Sequence, residues 1–394
     1  MTTPRNFDLI LLGATGFTGG LVAKYLTTHA PSSARIALAG RSQAKLDLVV
    51  ASLDRPIATM VVDVTDPASV QAMAEATKVV ITTVGPYVLH GEPVVAACAA
   101  AGTDYVDLTG EPEFVDTMYV RYDQLASSTG ARIIHACGFD SIPHDLGAQF
   151  TVEQLPEGIP ITLRGFVTMD GTFSGGTAAS ALEAMHRTGA AKKAHTKRIT
   201  MEPKLSGRTA AVVQGRPGKS DDLRQWAIPM PTVDPQIVVT SARHLERYGP
   251  AFTYSHFLVT KTFAGTLATL GGLGALAGLA QVGPARRWLG RRVPPGTGPS
   301  AEKRAKSSFS VRFVGEAGAK RVETEVRGGD PGYDATAIML SQAALCLAFD
   351  ELPTTSGQQT TASAMGSILR HRLQGAGIDF AVLTSNEGKS QGAE

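Results

Sequence analysis

Gly13, Gly16 and Gly19 stand three residues apart just after a short apolar run, Asp8-Leu9-Ile10-Leu11-Leu12. Glycines at this spacing between a strand and a helix allow a tight turn and let backbone approach a pyrophosphate with no Cβ in the way. The third also lets the helix pack closely on its strand. The helix is predicted from Phe17 to Thr28, with Leu21, Val22, Tyr25 and Leu26 on one face. Its N-terminal N–H groups and positive dipole end would face the phosphates. Gly13, Ala14, Thr15, Gly16, Phe17, Thr18 and Gly19 are therefore the first candidate binding residues, and the expected ligand is a dinucleotide.

The second strand, Arg35 to Gly40, bears on which dinucleotide. It ends in Arg41-Ser42, where an NAD-specific site carries Asp or Glu for the ribose 2′-hydroxyl. A guanidinium in that place offers a planar fork of donors matched to a phosphate. Arg41 and Ser42 thus favour NADP(H); the plainer alternative leaves Arg41 solvated at the strand end. Asp63, at the end of the third predicted strand, falls where an adenine-side contact would lie. Helix capping through Asp66 is the competing use of that acidic stretch.

Two further turns carry polar residues. Thr83-Val84-Gly85-Pro86-Tyr87 follows the fourth strand, at the sheet end where a nicotinamide would sit. Gly85 and Pro86 shape a backbone that passes the cofactor. Tyr87 either donates or stacks there, or covers the sheet end. After the sixth strand comes Cys137-Gly138-Phe139-Asp140-Ser141-Ile142-Pro143-His144. Polar groups packed into a strand-to-helix turn are what a reaction site needs. Helix capping by Asp140 or Ser141 ahead of Pro143 explains part of the pattern without chemistry. His144 is the side chain of this turn whose ordinary pKa lies near neutrality.

Positioning these turns requires an α/β fold. Strands predicted at Leu9–Leu12, Ile36–Ala39, Thr59–Val62, Val79–Thr83, Tyr105–Leu108 and Arg132–Ala136 alternate with helices near 43–53, 67–76, 91–101 and 113–128. That alternation predicts a doubly wound parallel sheet of Rossmann type over residues 1–155. Residues 156–330 then read as an inserted α+β domain. Its strands are predicted at Ile161–Met169, Ile237–Ser241, Ser308–Gly315 and Arg321–Arg327. A helical run, Ala178–Arg187, opens after Ser174-Gly175-Gly176-Thr177, and residues 192–235 are polar and poorly periodic. In 331–394, helices Tyr333–Phe349 and Ser363–Leu373 and a terminal strand, Asp379–Leu383, are expected to return to the first domain.

Thr262–Ala285 runs 24 residues without a charge, led by Lys261. Its length would span a bilayer, yet six glycines, six alanines and three threonines make it only marginally apolar. A membrane span, a buried helix lining a pocket and a surface helix touching lipid all stay open. Residues 286–306 hold seven basic residues, among them Arg286, Arg287, Arg291 and Arg292, and one acid. Contact of 262–292 with anionic lipid or an acidic carrier protein is one reading; a solvated loop around Pro294-Pro295-Gly296-Thr297-Gly298-Pro299 is the other. The whole 394-residue chain has a net charge of +2, which does not mark a nucleic-acid binder. Three separated cysteines and no secretory pattern at the N-terminus indicate a cytoplasmic protein, membrane-associated if the apolar segment binds lipid. No Cys/His spacing resembles a zinc site, so no metal is expected. A homo-oligomer is compatible with the sequence, which does not fix the oligomeric state.

Taken together, Gly13–Gly19, Ala39-Gly40-Arg41, Val84-Gly85-Pro86-Tyr87 with Gly91-Glu92, Thr103–Glu111 and Gly138–Pro143 resemble the saccharopine dehydrogenase-like oxidoreductases. The similarity is greatest to the actinobacterial trans-acting enoyl reductases, which act beside polyketide synthases in lipid assembly. Gly329-Asp330-Pro331-Gly332-Tyr333-Asp334-Ala335-Thr336-Ala337 and the proline-glycine loop extend it over nearly the whole chain. The resemblance implies an NADP-linked Rossmann domain and reduction of a carrier-bound α,β-unsaturated acyl thioester. Imine or ketone reduction of the saccharopine dehydrogenase kind, and a non-catalytic NADP-binding lipid-associated protein, stay open. Short-chain dehydrogenase chemistry is disfavoured independently, because none of the eight tyrosines has a lysine four residues on. For enoyl reduction the candidate hydrogen-bond donors to the thioester oxygen are Tyr87, Ser141 and the N–H groups of the 138–141 turn. His144 is the candidate acid, with Asp140 orienting one of them or capping the helix.

Overall fold

The computed structural model describes residues 5–170, 183, 185–230, 232–282 and 298–387. Its strands are β1 (Phe7–Leu12), β2 (Ile36–Gly40), β3 (Ala58–Val61), β4 (Thr77–Thr82), β5 (Asp104–Val106) and β6 (Arg132–Ile134). They continue with β7 (Ile161–Asp170), β8 (Thr209–Val212), β9 (Gly218–Lys219), β10 (Trp226–Pro229) and β11 (Ala251–Thr260). The last are β12 (Ser308–Ala317), β13 (Lys320–Gly328), β14 (Gly357–Gln359) and β15 (Asp379–Glu387).

The first sheet runs β14-β6-β5-β4-β1-β2-β3, and every pairing in it is parallel. Leaving β14 aside, this is the Rossmann strand order, with its reversal between β1 and β4. The central strands are apolar at consecutive positions because both sheet faces are covered. Leu9 and Leu11 join Leu38, Val79 and Ile81 on one face, while Ile10 and Leu12 join Ala37, Ala39 and Val80 on the other. Burying each of these leucine, isoleucine and valine side chains fully contributes about 1.5–3 kcal/mol. One of these clusters continues through the helices Ile142–Glu153 and Asp334–Phe349 to Leu163, Phe252 and Phe313 of the second sheet. The floor of the 138–144 turn is thus shared by both sheets.

The second sheet runs β15-β13-β12-β7-β11-β10-β9, with β8 added in parallel on β11. It is mixed: β7 and β11 pair in parallel, β7 and β12 antiparallel. The C-terminal region divides between the sheets. Helix Asp334–Phe349 packs on helix Phe17–His29 and on β1 and β4; β14 joins the first sheet and β15 the second.

Several local expectations are corrected. Ile237–Ser241 is not a strand but part of the helix Asp234–His244. The β-branched run pointed to a strand, yet Pro235 in the first turn fits a helix start, and burial of Ile237, Val238, Ser241 and Ala242 overrides the propensity. The poorly periodic stretch contains the helix Thr188–Met201 as well as β8, β9 and β10. That helix is anchored by Arg198, whose guanidinium is buried against Asp116 at 3.1 Å, with Thr240 at 3.0 Å. Ser363–Leu373 is broken into Thr361–Ala364 and Gly366–Gly375, with Gly366 at φ +47°. The Ser174–Thr177 turn, most of Ala178–Arg187, Arg286, Arg287, Arg291, Arg292 and Pro294–Thr297 lie outside the described residues.

The helix Phe263–Gln281 is the one long and apolar enough to cross a membrane among the described residues, and only 12% of its 18-residue window is buried. That contradicts a buried pocket wall. Trp226 packs at a tilt against Phe263 at one end, and Gln281 donates to the Met185 carbonyl at the other.

Candidate functional site

The glycine turn closes at the topological switch point. Gly13 has φ +89°, and a Cβ there would lie 2.7 Å from Thr83 Oγ1 and 2.9 Å from Val84 Cγ2, so its glycine lets the ends of β1 and β4 meet. Thr83 secures the junction, its N–H donating to Leu12 O at 3.0 Å and its hydroxyl to Gly13 O at 3.2 Å. Gly19 is required by packing, since a Cβ would fall 2.8 Å from the Gly13 carbonyl carbon and 3.0 Å from Ala14 Cα. Gly16 differs: its nearest neighbour would be Gly13 O at 3.4 Å, so the protein itself tolerates a side chain there. An approaching pyrophosphate would not. Gly16 is also the N-cap of helix Phe17–His29, which has no side-chain cap and no acid in its first turn. The first N–H groups are thus left to an anion.

Arg41 is exposed just beyond β2. Ser42 caps helix Gln43–Ala51 by accepting from Lys45 N at 3.4 Å, which leaves its own proton free to donate. Asp63 is held in a local turn, its Oδ1 accepting from Thr65 N at 2.9 Å and Thr65 Oγ1 at 2.8 Å. Those bonds, backbone first, hold its carboxyl below the ordinary range, with Arg41 adding a smaller attraction. Asp66 caps helix Pro67–Ala76. The acidic stretch therefore performs local structure, and Asp63 keeps only its second oxygen for a ligand.

Tyr87 is a strut in this geometry. Its hydroxyl donates to Thr82 O at 3.1 Å and accepts from Leu108 N at 3.1 Å, joining the ends of β4 and β5. The single phenolic proton is already committed, so Tyr87 has none for a substrate. The short helix Tyr87–His90 after the cis Gly85–Pro86 bond is capped by Glu111, which accepts from Tyr87 N at 3.0 Å and Val88 N at 2.8 Å. Beside it, buried Asp107 accepts from Tyr105 Oη, Thr109 N, His135 Nδ1 and Ala136 N at 2.7–3.0 Å. This carboxylate fixes where the 107–111 and 135–141 turns sit, with Ala136 at φ +59° in the left-handed region.

In the 138–144 turn the backbone is mostly spoken for. Ser141 N and Ile142 N donate to Gly138 O, and Phe139 N donates to Thr336 Oγ1 at 3.0 Å. Those three N–H groups cannot also serve as an oxyanion hole. Ser141 is fully buried, and its hydroxyl turns inward, 3.4 Å from Asp234 Oδ1. His144 is buried too, with Nδ1 3.0 Å from Asp234 Oδ1. Asp140 alone of the four candidate chemical residues is partly open. Desolvation, and after it the charge of Asp234, pushes its carboxyl up to about 7.

Residues 9–134 match the saccharopine dehydrogenase NADP binding domain. A trans-acting enoyl reductase of Mycobacterium bovis (strain BCG / Pasteur 1173P2) is 36% identical, covering 95% of this chain and 97% of that protein. A Mycobacterium tuberculosis (strain H37Rv) protein named as a candidate for the same activity is 39% identical, covering 96% and 98%. The chain belongs to the trans-acting enoyl reductase family. Among solved structures, apo saccharopine dehydrogenase (L-Glu forming) from Saccharomyces cerevisiae superposes with a TM-score of 0.52 at 12% identity. It covers 96% of this chain and 100% of that one, which establishes a common fold.

This member of the trans-acting enoyl reductase family is thus an NADP(H)-dependent oxidoreductase with a Rossmann domain, as its glycine turn and Arg41 anticipate. The turn from Gly13 to Gly19 would hold the pyrophosphate and Arg41 with Ser42 the 2′-phosphate. Replacing Arg41 with Ala is expected to weaken NADPH binding about 10- to 100-fold, the range of one or two charge-assisted hydrogen bonds. NADH affinity should stay within about twofold, and equal losses for both cofactors in fluorescence titration would remove Arg41 from the 2′-phosphate site. Asp234 and His256 carry no sequence signal of their own, and Asp107 stands in the sequence only as a member of the Thr103–Glu111 run, without a role. A described cavity of about 430 Å³ lies elsewhere, lined by Thr168, Ser310, Glu325 and Arg327, with Phe309 between it and Phe139.

Proposed function

We propose that the chain reduces the α,β-double bond of an acyl thioester presented on a carrier of a polyketide synthase. One observation supports this most: identity to relatives named for enoyl reduction runs through 95% of the chain, second sheet and C-terminal helices included, and not through the cofactor domain alone. When bound, NADPH supplies the hydride. The chain contributes the proton, and Asp140 is the group suited to give it. Its acid form persists near neutral pH, and it is the partly open carboxyl of the turn at the strand ends. Ser141 and His144 stand behind it as buried supports, and Tyr87 with Glu111 shapes the neighbouring turn.

The test is NADPH consumption with matched long-chain enoyl and ketoacyl thioesters, each on coenzyme A and on a carrier domain, with products identified by mass. Saturated product from the enoyl series is expected, faster on the carrier. Hydroxyacyl product, or turnover of imines alone, would overturn the reading.

The reading includes a lipid surface as the place of work. Phe263, Leu267 and Leu279 are 53%, 55% and 45% exposed on a helix that is apolar all round. A helix of that kind is normally buried or in lipid. Lys261 precedes it, and Arg286, Arg287, Arg291 and Arg292 follow in the sequence. Anionic vesicles are expected to co-sediment the protein, and Leu267→Ser with Leu279→Ser to reduce binding at least about tenfold at an unchanged melting temperature. An unaltered protein that stays in the supernatant would end the lipid reading.

A further inference from the structure

Three side chains far apart in sequence meet between the two sheets. His144 lies in the first turn of helix Ile142–Glu153, Asp234 opens helix Asp234–His244, and His256 is on β11. They are 2%, 4% and 4% exposed, and one donor atom from each lies within 4.8 Å of the other two. Asp234 is the centre of the group, with Oδ1 3.0 Å from His144 Nδ1 and Oδ2 3.7 Å from His256 Nε2.

Against the opposing effect of burial, the charge and close approach of His144 hold the Asp234 carboxyl below the ordinary carboxylate range. Neither nitrogen of His144, nor Nε2 of His256, has a hydrogen-bond partner. Leaving a buried polar atom unsatisfied costs about 1–3 kcal/mol, and the two ring nitrogens that face the Asp234 carboxylate, His144 Nδ1 and His256 Nε2, converge on a place a common occupant could fill. Zinc bonds of about 2.0–2.1 Å in tetrahedral geometry place neighbouring ligand atoms roughly 3.3 Å apart, and the two histidine-to-carboxylate separations, 3.0 and 3.7 Å, lie on either side of that figure. Outer contacts are of the supporting kind as well. Tyr254 Oη lies 2.9 Å from His256 Nδ1, which leaves Nε2 facing Asp234, and Ser141 Oγ lies 3.4 Å from Asp234 Oδ1. Gly165 completes the cradle, since a Cβ there would press on Tyr254 Cζ at 3.2 Å and His256 Nδ1 at 3.4 Å.

The geometry points to a buried site for a divalent transition-metal ion of the zinc class, held by His144, Asp234 and His256. Two imidazoles and a carboxylate are ligands such ions accept, with water completing a tetrahedron. The ion would tie the helix carrying the 138–144 turn to the second sheet. This assignment is independent of the substrate proposed above.

The experiment is metal analysis of the full-length, tag-free protein purified without chelator. About one equivalent of zinc or a neighbouring metal per chain is expected, either as isolated or after dialysis against Zn²⁺. Chelation should lower the melting temperature and Zn²⁺ restore it. Asp234→Asn and His256→Gln should each retain less than a tenth of the metal. Should His256→Gln fail to fold, the near-isosteric Asp234→Asn decides. Cobalt substitution adds a readout: tetrahedral visible bands in the parent protein, absent in Asp234→Asn. A protein that takes up no metal and whose melting point ignores both zinc and chelator would overturn the site. Full metal content in both variants would place the ion elsewhere and overturn it equally.

Discussion

Asp140→Asn is expected to lower NADPH-dependent reduction about 10²- to 10⁴-fold, the usual contribution of a positioned general acid, while leaving NADPH binding intact. Asparagine keeps the size and polarity of the side chain but has no acidic proton. The parent carboxyl is pushed up to about 7, by burial first and then by the nearby negative charge of Asp234. Because the protonated form is the active one, the rate should be level at lower pH and fall as pH rises through about 7. Chelator in the assay keeps the His144–Asp234–His256 cluster free of cations, and disappearance of the limb from the residual activity of Asp140→Asn assigns it to this carboxyl rather than to His144. The same shift has a sign for stability. An aspartate with an unfolded value of 3.8 and a folded value of about 7 destabilises the fold progressively as pH rises between them. Asp140→Asn should therefore melt no lower than the parent protein at pH 8, which separates lost chemistry from lost structure. A variant with full turnover, or a parent pH profile flat across neutrality, would remove Asp140 from the reaction.

What was legible in the sequence is what is local in the chain. The strand-glycine-helix unit from Asp8 to His29 carries its own instructions, because turn, cap and apolar face lie within 22 residues. Consecutive apolar residues in β1, β2 and β4 likewise announce a sheet buried on both sides. The chemical site is assembled differently. His144 draws notice by residue type, but Asp234 and His256 reach it from segments about 90 and 110 residues away, one of them mistaken for a strand. Asp107 was hidden for another reason: a carboxylate after a strand resembles any turn residue until four donors are seen to converge on it. Tyr87 shows the converse. Its position marked a donor, and only the two hydroxyl bonds reveal that its proton is spent on holding β4 to β5.

Gly19→Ala is expected to raise the NADPH dissociation constant at least about 30-fold and to lower the melting temperature by several degrees, whereas Gly20→Ala should do neither. Helix propensity alone says the opposite, since alanine is favoured over glycine in a helix by about 0.5–1 kcal/mol at either position. Packing reverses the sign at one of them. A Cβ on Gly19 would sit 2.8 Å from the Gly13 carbonyl carbon and 3.0 Å from Ala14 Cα, and both obstacles are backbone that cannot rotate away. At Gly20 nothing lies within 4 Å. Relieving the Gly19 clash means moving the helix off its strand or moving the Gly13 turn, and overpacking of this kind costs about 1–3 kcal/mol. The movement is centred on the residues that would hold the pyrophosphate, so about 2 kcal/mol of it, read in the cofactor's affinity, gives the 30-fold figure. Isothermal titration and thermal melting of the two variants side by side make the check. Equal behaviour of Gly19→Ala and Gly20→Ala would show that the close approach of helix to turn is not what the third glycine provides.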